Sequence, residues 1–131
     1  MLVAIGYGLA LPGIAVLHVR HIAVRQSGAF LATISGGAVV AVGISGAANL
    51  DVRPAALFVL GLWWWTIGKM WVETGVLPRA FGYGTATLAI VAFVLVPLDA
   101  VLGERYFTAG HTILGLWLIV LAWNFARLGP D

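Results

Sequence analysis

The chain has 131 residues, of which 62% are hydrophobic and only 9% are charged, and its formal net charge at pH 7 is +2. A soluble domain carries roughly 25% charged residues, so this chain has too few to cover its surface in water. Together with a mean hydropathy of +1.04, the composition predicts an all-α integral membrane bundle that forms one domain over residues 1–131. The absence of cysteine excludes disulfides and cysteine-ligated metals, and the small, scattered charge argues against a nucleic-acid partner.

Five apolar stretches are long enough to cross a bilayer, which takes about 20 residues of helix. In chain order they cover residues 1–19, 28–49, 54–73, 80–102 and 107–127. The first begins without a basic segment and ends in a cluster of histidine and arginine rather than at a cleavage site, so we do not interpret it as a signal peptide. The connections are short, so successive helices are expected to be antiparallel neighbours. Pro12 and Pro97 lie inside spans one and four, where proline can kink a helix.

The basic residues predict an orientation for the bundle. Five of them fall on one side of the predicted membrane, namely Arg20, Arg25, Lys69, Arg79 and Arg127. Only Arg53 and Arg105 fall on the other side. Because cytoplasmic loops carry the excess of lysine and arginine, we expect an outside N-terminus and a cytoplasmic C-terminus in a plasma or bacterial inner membrane.

The second span carries a small residue at every fourth position. These residues are Ala29, Thr33, Gly37, Ala41 and Ser45. Small side chains let helix backbones approach closely in a membrane, so we expect this helix to be central, with the small face against another helix. Whether that helix belongs to the same chain or to a second copy stays open.

Three consecutive tryptophans, Trp63, Trp64 and Trp65, lie about ten residues into the third span, which places them near the middle of the bilayer. Trp117 in the fifth span falls at nearly the same depth. Neighbouring side chains on a helix point about 100° apart, so the three rings cannot face one pocket. The aromatic layer indicates either tight packing or a bound apolar ligand such as a quinone, carotenoid, haem or pigment.

Two further patterns divide the third span. Trp64 shares a helical face with Gly61, Gly68 and Trp71, so small and large residues alternate along this face. This pattern is typical of tight helix packing. Near the end of the span, Lys69 and Glu73 are four residues apart and are expected to form an ion pair at the membrane edge.

Polar residues at the predicted outer edge are the first candidates for chemistry. Spans four and five would bring together Asp99, Glu104, Arg105 and His111, with Asp51 on the same side. A histidine beside a carboxylate suits proton transfer or metal ligation. The alternative is a hydrogen bond that closes the helical hairpin. His111 is also the candidate single ligand of a haem or pigment.

Two histidines lie near the predicted inner edge. His18 and His21 are three residues apart and share a helical face if the first span continues that far. Together with the nearby arginines they indicate a partner of anionic lipid head groups, or, as a sharper alternative, a haem or metal. A haem held between His18 and His111 is excluded by their depths, which differ by more than about 20 Å.

Residues 60–127 contain a sequence pattern built from eight residues: Gly61, Trp63, Gly68, Gly75, Leu77, Pro78, Arg79 and Gly82. This region resembles the helical hairpin of a broad group of uncharacterised bacterial multi-pass membrane proteins of the domain-of-unknown-function type. The resemblance implies a multi-pass helical architecture and no mechanism.

No catalytic motif is recognised in the sequence, and no cofactor is specified by it. The leading hypothesis is a small non-catalytic membrane protein, an accessory or packing subunit of a complex or homo-oligomer with lipids as partners. The first alternative is a binder of an apolar cofactor through the mid-membrane tryptophans and His111. The second is a small transporter that uses Asp99 and His111 near the outer face.

Overall fold

The computed structural model describes the backbone of residues 2–48, 50–102 and 105–127, and their side chains except those of residues 2, 100 and 105–108. Within these ranges the chain forms helices joined by short connections, without a strand. The helices are α1 (Leu2–Gly8), α2 (Ala10–Ile22), α3 (Gln26–Ala47), α4 (Arg53–Thr74), α5 (Arg79–Leu102) and α6 (Arg105–Arg127). The described part contains five helical segments long and apolar enough to span a membrane, which confirms the predicted all-α class with five helices of that kind.

The chain divides into two compact units, Met1–Pro97 and Leu98–Asp131. The first unit holds α1 to α4 and most of α5. The second holds the end of α5 and α6. The boundary falls at the proline inside α5.

The first span is built from two helices, because α1 ends at Gly8 and α2 begins at Ala10. The break lies one turn before Pro12, whose missing N–H leaves the carbonyl of Gly8 without its helical donor. The sequence predicted that this span ends at residue 19 and that a polar connection covers residues 20–27. That boundary was wrong, since α2 continues to Ile22 and α3 already starts at Gln26.

Helix α3 lies at the centre of the first unit and contacts α1, α2 and α4. Its packing face differs from the predicted small-residue face. Ala29 is buried as expected, but the closest approaches occur at Gly36 and Gly43. A Cβ added to Gly36 would lie 2.9 Å from the Trp63 indole nitrogen, and Gly43 lies against the ring of Tyr7. Within the chain, the predicted face is therefore used at Ala29 and Thr33, whereas the rings of neighbouring helices lie against Gly36 and Gly43. A partner for the rest of that face stays a prediction.

Helices α4 and α5 approach backbone to backbone. A Cβ added to Gly68 would lie 2.8 Å from the backbone nitrogen of Ala86, and one added to Gly82 would lie 3.0 Å from the carbonyl of Gly68. Any side chain larger than hydrogen would push the two helices apart. About two turns earlier on α4, a Cβ added to Gly61 would lie 3.0 Å from the ring of Phe93. The face of α4 that carries Gly61 and Gly68 was predicted to pack tightly, and these contacts place it against α5.

Candidate functional site

The buried polar centre of the first unit is a hydrogen bond between His21 at the end of α2 and Trp71 near the end of α4. The indole Nε1 of Trp71 lies 2.8 Å from Nε2 of His21, and neither residue is exposed. An indole N–H can only donate, so Nε2 accepts. Nδ1 of His21 therefore carries the proton and donates to the carbonyl of Leu17 at 2.6 Å. Both ring nitrogens of a neutral imidazole are occupied, and the ring joins α2 to α4.

The second histidine of α2 faces a different helix. Nδ1 of His18 lies 2.7 Å from the hydroxyl of Thr33 on α3. Because that hydroxyl donates to the carbonyl of Ala29 at 2.8 Å, it accepts from His18. The ring of Phe30 meets the imidazole edge-on at 5.3 Å between centroids. The two histidines thus do not form one site, since His18 joins α2 to α3 whereas His21 joins α2 to α4.

An ion-pair cluster flanks Trp71 on α4, with Lys69 two residues before it and Glu73 two residues after it. Lys69 and Glu73 pair as predicted, with 3.8 Å between the ammonium nitrogen and a carboxylate oxygen. The other carboxylate oxygen of Glu73 pairs with the guanidinium of Arg25, from the connection between α2 and α3. All three side chains are partly exposed, at 56%, 38% and 43% in the order Lys69, Glu73, Arg25. One carboxylate is therefore shared by two cations at this end of the unit.

The three consecutive tryptophans point in three directions, as predicted. Trp63 is 3% exposed and packs on Gly36 of α3. Trp64 is also 3% exposed and shares its helical face with Gly61 and Gly68, which contact α5. Trp65 is 42% exposed. Two rings fill the interior of the unit, and one lies at its surface.

Trp117 lies on α6 in the second unit and is buried. The role of the four tryptophans in binding an apolar ligand stays a prediction. A crevice between α2, α3 and α4 touches Trp63, His18 and Thr33, but it has no room for a water molecule.

The remaining polar candidates belong to other segments of the chain. Asp51 pairs with Arg53, with 3.1 Å between a carboxylate oxygen and Nε. The hydrogen bond from Arg53, helped by its charge, lowers the pKa of the Asp51 carboxyl from its ordinary value of 3.8. Asp99 lies near the end of α5, and His111 lies in the second turn of α6, both half-buried. Glu104 and the side chain of Arg105 lie outside the described residues.

Within the described ranges, no group of three histidine, aspartate or glutamate side chains is placed to hold a metal ion. Sequence reasoning missed the partners of His21, His18 and Arg25, which lie 50, 15 and 48 positions away along the chain. The one available signal was a histidine at the end of an apolar span, where a buried imidazole requires a hydrogen-bond partner.

Comparison of the chain with models of protein families, with curated proteins and with solved structures finds no match.

Proposed function

We propose that this protein is a non-catalytic, multi-pass subunit of a plasma or bacterial inner membrane, which self-associates through α3. The N-terminus lies outside and the C-terminus in the cytoplasm. Its role is to pack and position helices within a membrane complex. The observation that carries the proposal is a small-residue face of α3 that the other described residues of the first unit leave uncovered.

The uncovered face of α3 contains Gly37 and Ala41 at its centre. A Cβ added to Gly37 would meet no atom within 4 Å, and Ala41 is exposed. Ile34 and Ile44 flank the two small residues and are 69% and 42% exposed. Helical spacing puts all four residues on one face of α3, so Gly37 and Ala41 leave a shallow groove between the two larger side chains.

Such a groove fits a second helix. Gly37 and Ala41 are four residues apart, which is the spacing of the small-xxx-small pattern that lets membrane helices cross in close contact. If the second helix is α3 of another copy, the contact is isologous, and the two Gly37 residues meet at the two-fold axis. The opposite face of the same helix is already occupied by α1, α2 and α4.

The mid-membrane tryptophans support a packing role over a ligand-binding role. Trp63 and Trp64 are almost fully buried, and both lie on helical faces that contact glycines of the same chain. Their rings are therefore used in joining α4 to its neighbours.

The chain contains no cysteine, so a single introduced cysteine can form a disulfide only with another copy of the chain. A Gly37→Cys variant is oxidised in native membranes, where we expect a disulfide-linked dimer. Gly37→Ile and Ala41→Ile are expected to raise the dimer dissociation constant of the cysteine-free protein at least about tenfold, since a 1.4 kcal/mol loss of contact gives that factor. The matched control is Gly84→Ile on α5, because Gly84 is exposed and its Cβ would also meet no atom within 4 Å. A wild-type protein that stays monomeric at all concentrations in the membrane, or equal losses in all three variants, contradicts the proposal.

A further inference from the structure

The charges of the first unit are concentrated at one end. The basic end consists of four cations, Arg20, Arg25, Lys69 and Arg79, and one carboxylate, Glu73, and so has a net charge of +3. The other charged side chains of the unit are Asp51 and Arg53, which form a pair with no net charge at the opposite end. The asymmetry does not depend on the second unit.

Contacts between helices hold the cations of the basic end together. Arg25 and Lys69 share the carboxylate of Glu73. Arg20 precedes the buried His21, which is bonded to Trp71. The ring of Trp71 also stacks on Phe81 at 5.2 Å between centroids, and Phe81 lies two residues after Arg79. The four cations, which come from α2, α4, α5 and the connection between α2 and α3, therefore lie at the same end of the first unit.

The basic end is a fixed platform rather than a flexible tail. The connection between α2 and α3 spans only residues 23–25, and α4 ends at Gly75 in a left-handed conformation with φ of +69°. Lys69 is 56% exposed and Arg79 is exposed. A ligand that binds here does not need to order the backbone first, which favours binding.

We propose that the basic end binds the head groups of anionic phospholipids. The helices below it are apolar enough to span a bilayer, so its cations lie at the depth of the lipid phosphates. Glu73 balances only one of the four cations, which leaves an attractive potential for a phosphate diester with a net negative charge. Each cation near a membrane surface strengthens such binding by about fivefold. This inference does not depend on self-association through α3.

The experiment measures lipid retention by the full-length protein with native mass spectrometry. Phosphatidylglycerol and phosphatidylcholine with the same acyl chains are added in detergent, and the ratio of their dissociation constants is determined. We expect wild type to prefer phosphatidylglycerol by at least about tenfold. Lys69→Gln and Arg79→Gln should each reduce the preference by about fivefold. Glu73→Gln should increase it, although a variant that merely damaged the fold would decrease it.

Arg53→Gln is the matched control at the opposite end, and it should leave the preference unchanged. Equal retention of both lipids by wild type overturns the proposal. A loss with Arg53→Gln as large as with Lys69→Gln also overturns it, because the basic end would then have no special role. Inorganic phosphate is added as a competitor. Full competition at millimolar concentration would assign the site to a soluble anion instead of a lipid.

Discussion

Replacing Trp71 with phenylalanine tests whether its hydrogen bond to His21 stabilises the first unit. Phenylalanine keeps an aromatic ring beside Phe81 but removes the indole N–H that lies 2.8 Å from Nε2 of His21. His21 is 0% exposed, so water does not replace the lost donor. A buried acceptor left without a partner costs about 1–3 kcal/mol in soluble proteins, whereas interhelical bonds in a membrane protein average about 0.6 kcal/mol and reach about 1.7.

We expect the lost bond to reduce the free energy of unfolding by about 1–2 kcal/mol, near the upper membrane value, because both partners are fully buried. The assay is reversible unfolding in mixed micelles with increasing sodium dodecyl sulfate, followed by circular dichroism. Trp65→Phe is the matched control on the same helix. Trp65 is 42% exposed, so its loss is expected to change stability by less than about 0.5 kcal/mol.

A double-mutant cycle separates the hydrogen bond from the loss of ring volume. His21→Leu removes the acceptor and leaves the indole N–H of Trp71 without it. The double variant with Trp71→Phe contains neither the donor nor the acceptor, so no buried polar group is left unpaired by the loss of this bond. We expect the double variant to be about 1–2 kcal/mol more stable than the sum of the single effects predicts. Additive effects would refute the reasoning, since they would show that the two side chains contribute only through packing.

Two further predictions follow from the packing and the charges of the first unit. Gly68→Ala should lower the free energy of unfolding by about 1–3 kcal/mol, because the new methyl group would lie 2.8 Å from the backbone nitrogen of Ala86. Gly84→Ala, in open space on the facing helix, should be neutral or slightly stabilising in the same assay; equal losses would contradict the close approach. Arg53→Gln should raise the pKa of the Asp51 carboxyl toward 3.8, measured by carbon-13 nuclear magnetic resonance of the carboxyl group. An unchanged titration would show that Arg53 does not perturb Asp51.

The five spans could be predicted because hydropathy is a local property. A run of about 20 apolar residues is unstable in water wherever its neighbours lie, and the structure places helices at all five runs. The face of α4 that carries Trp64 and Gly68 was also predictable, since helical periodicity alone puts alternating small and large residues on one side.

The first span shows where local reasoning fails. Arginine and histidine were interpreted as the end of the helix, yet α2 continues through Arg20 and His21 to Ile22. Within this last part of α2, His21 is buried with a donor supplied by Trp71, 50 positions away. No pattern within the span carries that information.

The sequence by itself determined that this protein is helical, that five of its apolar stretches are long enough to span a membrane, and that its three adjacent tryptophans point in different directions. Only the tertiary structure decided which glycines of α3 are covered and which partners the two histidines have. The small residues of α3 are nearly equivalent in size, so the choice between Gly36 and Gly37 depends on where the rings of other helices project. Hydropathy and periodicity depend on residues that are close in the sequence. Close packing and hydrogen bonding depend on residues that only the fold brings together.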